Sequence, residues 1–367
     1  MNFTCKKKTM HEALQSVARA VSARSTLPIL NNVLIDASGD KLCLMATDLE
    51  ICITYITDIQ VTEEGRVTVP ARTLNEVVSS LAEGELSISS DERDMLTLSA
   101  AKSKFTIHGL PAEEYPIRPT VPEGINITIP GPVLRDLVRK TIFAVGVDEA
   151  RQVLTGVLFM WNGQTLSMVA TDTHRLAFKS VPAPGVAEEE VSVIIPARAL
   201  QELLRILGGT DEPVEVHIGE KNVLFVVGAV QLIARLIDGA FPNYERVIPA
   251  ETQKHMLLNR KLFIEAVRRA SIVARSEANK LRFHTNEGTL VITAETSGIG
   301  EAREELPVEL DGEEVAIAFN AEYLLDALNV LDFETIQLNL SGPINPSLIQ
   351  ADGEPDYKYV IMPMQMT

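Results

Sequence analysis

The chain has 367 residues and a formal charge of −17, from 33 Lys+Arg against 50 Asp+Glu. That length suits two or three domains, and 46% apolar residues can supply a core for each. No run of about 18 apolar residues is present to span a membrane, and Lys6, Lys7 and Lys8 precede no apolar signal-peptide stretch. As a chain average, the acidity argues against a nucleic-acid partner, which demands cations at its phosphates. Cys5, Cys43 and Cys52 are odd in number and lack metal-ligand spacing. They read as reduced packing residues of a cytoplasmic protein.

In chain order, apolar spacings of three and four predict a helix over 9–22, carried by Met10, Ala13, Leu14 and Val17. Short strands follow at Val33–Ile35 and Leu42–Met45, separated by the turn Ser38-Gly39-Asp40. A second helix over 71–82 carries Leu74, Val77, Val78 and Leu81. The pattern then restarts. Leu134, Leu137, Val138 and Thr141 mark a helix over 131–145, and Val157–Met160 and Leu166–Val169 read as strands. Leu200, Leu203, Leu204 and Leu207 mark a helix over 197–207, with a strand at Val223–Val227. The third pass has a helix over 259–275 with Phe263, Ala266, Val267 and Ala270. A strand at Leu290–Thr293 and a helix over 320–331 with Leu324, Ala327, Leu328 and Leu331 complete it.

Short motifs recur at the same interval. Ala46-Thr47-Asp48-Leu49-Glu50 returns 124 residues later as Ala170-Thr171-Asp172-Thr173-His174, and in degraded form as Ala294-Glu295-Thr296-Ser297-Gly298. Val69-Pro70-Ala71-Arg72 returns as Ile195-Pro196-Ala197-Arg198, then as Phe319-Asn320-Ala321-Glu322. Four aligned features imply triplication of an α+β unit with two helices and roughly eight strands. Joints rich in Pro, Gly and Glu at 116–124 and 249–254 divide it into 1–120, 121–249 and 250–367.

Motifs for phosphate loops, dinucleotide folds, zinc proteases and serine hydrolases are absent, so no enzyme, cofactor or metal is expected. Asp48 and Asp172 occupy the same place in two repeats, which suits turn carboxylates holding backbone N–H groups better than paired acids. The charge is also unevenly divided. The six helices hold 12 Lys+Arg and 7 Asp+Glu, a net of +5, and the rest of the chain holds −22. Arg135 and Arg139, Arg198 and Arg205, and Lys261 and Arg268 are spaced to share faces away from the apolar stripes. The sixth helix, with Glu322 and Asp326 and no base, breaks the pattern.

The threefold unit, Thr26-Leu27-Pro28-Ile29-Leu30-Asn31-Asn32, Thr171-Asp172-Thr173-His174-Arg175-Leu176, Phe241-Pro242-Asn243-Tyr244 and Tyr359-Val360-Ile361-Met362-Pro363-Met364 together resemble the bacterial DNA polymerase III beta subunit family, the beta sliding clamps. The resemblance covers the whole chain. It implies three clamp-fold domains, each with two helices packed on antiparallel sheets, closing as a head-to-tail dimeric ring. It implies a non-enzymatic, cytoplasmic processivity factor without cofactors, encircling double-stranded DNA regardless of sequence. The implied partners are a second copy of the chain, the DNA polymerase III core, the clamp loader, and other polymerases and repair proteins with clamp-binding motifs. A scaffold that binds peptides without encircling DNA, and an enzyme using Asp172, His174 and Arg175, are the competing readings.

Residue by residue, the resemblance assigns DNA contacts to Arg24, Arg72, Arg139, Lys140, Arg198, Arg205, Arg268 and Arg269. It assigns a partner-peptide pocket to Leu154, Thr171, His174, Arg175, Leu176, Pro242, Arg246, Val247, Val360, Met362, Pro363 and Met364. A dimer interface would set Lys102, Lys104, Phe105 and Ile107 against Ile272, Val273, Glu301, Glu304 and Glu305. Two departures fall near the pocket. Thr173 stands where the family commonly has a smaller residue, and Gln365 replaces a frequent Arg.

Overall fold

The computed structural model describes residues 1–21, 27–121, 124–182, 190–351 and 353–366. Six α-helices form where the apolar stripes predict them: α1 (Lys7–Val17), α2 (Ala71–Ser80), α3 (Gly131–Thr141), α4 (Ala197–Leu207), α5 (Arg260–Ala274) and α6 (Ala321–Val330). Twenty-six strands accompany them among the described residues. The stripes are the buried faces. Met10, Ala13, Leu14 and Val17 of α1 are buried, as are Phe263, Ala266, Val267 and Ala270 of α5. Val77 of α2 is only half-buried.

Helix ends differ from expectation where the last turn tightens. α1 stops at Val17 and α3 at Thr141, and each continues as a three-residue 3₁₀ turn, Ala18–Ala20 and Ile142–Ala144. Tightening the final turn satisfies carbonyls that an α-helix end leaves open. At the N-terminal ends of α5 and α6, Asn259 and Asn320 accept bonds from backbone N–H groups of the first turn. The other end of α6 has no basic residue of its own. Arg260 supplies the cap, donating to Leu328 O (3.0 Å) and Phe333 O (2.7 Å).

The chain divides into two compact units, 1–134 with 198–236, and 135–197 with 237–367. The middle repeat therefore contributes half of itself to each unit. In the first unit an eight-stranded antiparallel sheet runs Ile125–Ile129, Val214–Ile218, Asn222–Val227, Val230–Arg235, Ile51–Asp58, Lys41–Thr47, Asn32–Ser38, Gly65–Pro70. Its seam between repeats pairs Ile51 with Ala234 and Tyr55 with Val230. A five-stranded sheet beside it ends on the edge strand Ser103–His108.

The second unit repeats this plan. Its nine-stranded sheet joins Arg175–Pro182 to Tyr357–Ile361, with Arg175 opposite Ile361 and Lys179 opposite Tyr357. Its four-stranded sheet ends on the edge strand Gly300–Pro307. The cysteines are free thiols: Cys5 and Cys52 are buried and Cys43 half-buried. Burial pushes Cys5 up to about 12 and Cys43 and Cys52 up to about 11, so they stay protonated, unreactive packing groups.

Candidate peptide cleft and charged faces

The cleft in the second unit is built on a tight turn. Asp172 Oδ1 accepts from His174 N (2.9 Å) and Arg175 N (3.0 Å), and Thr171 Oγ1 donates to Arg175 O (2.7 Å). The turn forces Thr173 to φ +82°, a left-handed conformation that strains a β-branched residue. Asp48 holds the matching turn of the first unit in the same way, accepting from Glu50 N and Ile51 N. Both aspartates are turn carboxylates, as their repetition predicts.

Behind the turn, Arg175 is fixed on all sides. Its Nε donates to Asp172 Oδ2 (2.9 Å), its Nη2 donates to Phe143 O (2.8 Å), and its Nη1 pairs with Asp326 of α6. The guanidinium carbon lies 4.4 Å from the Tyr323 ring centroid. Burial works against the charge, but the Asp326 and Asp172 partners outweigh it and hold Arg175 protonated well beyond its ordinary range. Asp326, the unexplained acid of the sixth helix, is thus the counterion of a middle-repeat arginine.

The cleft itself has a volume of about 210 Å³. Leu176 and Val360, neighbours across the seam, form its buried floor. Pro242, Asn243, Tyr244 and Val247 form one wall, and Thr171, Thr173, Arg175 and Met362 the other. Met362 is set by its backbone N–H, which donates to His174 O (2.8 Å). Seven of the residues expected from the resemblance line it: Thr171, Arg175, Leu176, Pro242, Val247, Val360 and Met362.

The remaining five are placed otherwise. Leu154 is buried with its carbonyl accepting from Gly146 N, and His174 stacks on Tyr323 with centroids 6.4 Å apart. Arg246 is exposed, Pro363 is half-buried, and Met364 N donates to Ala318 O. Asn243 and Tyr244 of the Phe-Pro-Asn-Tyr motif, and Thr173, line the cleft without having been assigned to it. The motif itself was the signal for the first two.

The basic residues assigned to DNA are mostly already paired. Arg72 bonds Glu76 (2.8 Å), Arg205 pairs with Glu202, Arg198 with Asp48, and Arg139 with Asp332 and Asp136. Among the described residues no carboxylate pairs with exposed Arg268. Arg24 lies outside the described residues. Lys140 requires correction: it is 4% exposed, its ammonium buried between Glu354 and Asp136. Glu354 also accepts from buried Lys179 (2.6 Å). Burial alone would raise the Glu354 carboxyl, but the two lysines reverse this and hold it below the usual range. Lys140 therefore ties α3 to the turn at 354 and cannot reach a phosphate.

The interface candidates flank two edge strands. Lys102 and Lys104 are exposed and Phe105 half-buried, but Ile107 packs into its own unit at 7% exposure and offers no outer surface. Ile272 is 61% exposed, and Val273 O accepts from Thr296 Oγ1 (2.7 Å). Glu301 is exposed, and Glu305 pairs with Arg303. Glu304 is turned the other way, taking two bonds from Arg269 (2.9 and 2.6 Å). Two residues assigned to separate sites are therefore partners of each other. Alternation along the strand explains it: Ala302, Glu304 and Leu306 face α5, and the odd-numbered residues face away.

Two helices packed on antiparallel sheets, repeated three times along the chain, define the class as a DNA clamp. Sequence profiles of the DNA polymerase III beta subunit match residues 1–119 (N-terminal domain), 128–243 (central domain) and 245–365 (C-terminal domain). The beta sliding clamp of Pseudomonas aeruginosa is 35% identical over 367 residues, covering all of both chains. Crystal structures of the polymerase III beta subunit from Pseudomonas aeruginosa and of the sliding clamp from Bacillus subtilis superpose with TM-scores of 0.96, at 35% and 32% identity over the full length of each chain. The chain belongs to the DNA polymerase III beta subunit family. It is a non-catalytic sliding clamp of DNA replication. No helix among the described residues is long and apolar enough to cross a membrane.

Proposed function

We propose that the chain works in the cytoplasm as three domains, 1–120, 121–249 and 250–367, and that two copies close head to tail around duplex DNA. The polymerase core, the clamp loader and repair proteins then dock short peptides in the cleft floored by Leu176 and Val360. The observation that carries this reading is the open apolar cleft beside a pre-formed Arg175 network, since a rigid, half-apolar recess is what a peptide anchor needs. DNA is held by topology. Arg24, Arg72, Arg139, Arg198, Arg205, Arg268 and Arg269 provide weak, sequence-blind attraction, and the carboxylate partners of Arg72, Arg139, Arg198, Arg205 and Arg269 keep it weak. The Ser103–His108 and Gly300–Pro307 edges supply the strands for the closure.

Retention on nicked circular DNA, followed by release on linearisation, tests the ring. Equal release from circles and linear molecules overturns it. For the cleft, Val247→Asp places a charge on an exposed wall residue without touching the core. Binding of a polymerase-derived peptide, read by fluorescence anisotropy, should weaken at least tenfold with the melting temperature unchanged; undiminished affinity overturns the assignment. Truncation after Ile361 is a poorer test, because Met362 and Met364 carry backbone bonds to His174 and Ala318.

A further inference from the structure

A second recess in the same unit lies on the sheet face that carries Met160 and Phe178, beside the peptide cleft. Its volume is about 500 Å³. Across three neighbouring strands, Ser192, Met160 and Ser167 stand in one row, since Met160 pairs with both serines. Phe178 and Tyr244 close one side, their rings stacked with centroids 6.0 Å apart, and the Tyr244 hydroxyl contacts the Met160 sulfur (3.6 Å). Glu190 stands exposed at the rim. Tyr244 also lines the peptide cleft, so one half-buried ring is the partition between the two recesses.

The chemistry of the two sides differs. The cleft is predominantly apolar with a protonated, fully engaged arginine. The second groove offers a thioether and two ring surfaces, hydroxyls at Ser167 and Ser192 that have no partner among the described residues, and a carboxylate. That combination suits a long cationic side chain: methylenes on Met160 and Phe178, the head group at Glu190. Glu245, next to the partition, adds negative potential strong enough to help burial raise the Tyr244 hydroxyl. One cation, Lys358, sits 5.9 Å from the Phe178 centroid and tempers the field.

Resting on the peptide-cleft reading, we propose that the groove is a further subsite for a Lys or Arg that flanks the docked segment of a partner peptide, reached past Tyr244. The cleft gives every partner the same anchor, and the groove ranks partners by the charge of the flanking residue. An acidic flank gains nothing there, because Glu190 and Glu245 repel it.

The experiment uses the full-length protein and a fluorescein-labelled peptide from the clamp-binding segment of its polymerase. The parent peptide is compared with versions carrying an added Gly-Lys or Gly-Glu at either end. One Gly-Lys version should bind about three- to fivefold tighter than the parent, the range of a partly exposed ion pair with some stem burial, and its Gly-Glu counterpart should not. Glu190→Gln, and Ser192→Tyr to fill the groove, should each abolish the gain and leave parent affinity unchanged. If neither Gly-Lys peptide gains, or if the gain survives both substitutions, the subsite is overturned and any preference for lysine belongs to the general −17 field. Failure of the parent peptide to bind the unsubstituted protein, or its indifference to Val247→Asp, instead overturns the cleft.

Discussion

The seams of the two units are built from equivalent residues and end differently. Leu34 and Leu158, Met45 and Val169, Cys52 and Leu176, Leu224 and Leu348, and Ile29 and Val153 are all 124 positions apart, and each set packs into one apolar cluster. In the first unit Tyr115 fills the cluster: it is 5% exposed and its hydroxyl donates to Asn32 O (3.0 Å). In the second unit the matching segment carries Pro242, Asn243 and Tyr244, whose ring is half-buried, and the space beside it is the cleft. A triplicated fold has thus gained a recess at one seam by leaving it incompletely filled, with the scaffold around it unchanged.

Substitution of the two tyrosines offers the sharpest way to break that comparison. Tyr115→Ala should cost about 3–4 kcal/mol in urea denaturation, through the cavity and the lost hydroxyl bond. Tyr244→Ala should cost roughly 1 kcal/mol, since its ring is already partly hydrated. Equal losses would mean that the seams are filled alike.

The ionic links at the seams are also inverted. In the first unit the turn is acidic and the following helix basic: Asp48 pairs with Arg198, at the start of α4. In the second unit Arg175 enters the turn, and the helix answers with an acid, Asp326. Arg175→Ala leaves Asp172 and Asp326 facing one another without a counterion and should cost about 3 kcal/mol. Arg198→Ala, where the arginine is 45% exposed and its buried partner Asp48 keeps two backbone N–H bonds, should cost less, about 2 kcal/mol. A larger loss at Arg198 would refute the view that the second seam carries the stronger electrostatic lock.

The same inversion marks how far the sequence could be read. The apolar stripes, the 124-residue period and the turn aspartates follow from local chemistry, and each was legible. Charge alone could not say where a cation's partner lies. Lys140 sits on a basic helix face by spacing, yet Glu354, more than two hundred residues away, captures it. Arg269 and Glu304 were assigned to different surfaces because their strand and helix pack only in three dimensions. The sixth helix looked anomalous for the same reason: Arg175 and Arg260, both distant in sequence, supply the cations it lacks.

Acid should separate the seams next. Glu354 is held below the ordinary carboxylate range by Lys140 and Lys179. Its contribution is complete above the unfolded value near pH 4.5 and is lost as pH falls through the lower, folded value. The drop in melting temperature between pH 6 and pH 3 should therefore be smaller in Glu354→Gln than in the parent, although the variant is less stable at pH 7. Parallel pH profiles would show that the Lys140–Glu354–Lys179 cluster does not report on acid stability.

The smallest effect concerns the turns themselves. Leu49 and Thr173 hold φ values of +80° and +82° at equivalent positions, and neither is glycine. Glycine at either site removes strain of about 1 kcal/mol, offset by a similar entropy cost in the unfolded chain, so stability should move by less than about 0.5 kcal/mol. Thr173 lines the peptide cleft, and Leu49, in the other unit, is not among its lining residues. Thr173→Gly should widen the cleft and tighten a polymerase-derived peptide by about two- to threefold, since removing a β-branched side chain from a wall admits a larger anchor. Leu49→Gly should leave that affinity untouched. Equal changes at both positions would mean that the turn acts through general flexibility; a change at Thr173 alone would assign the effect to the wall of the cleft.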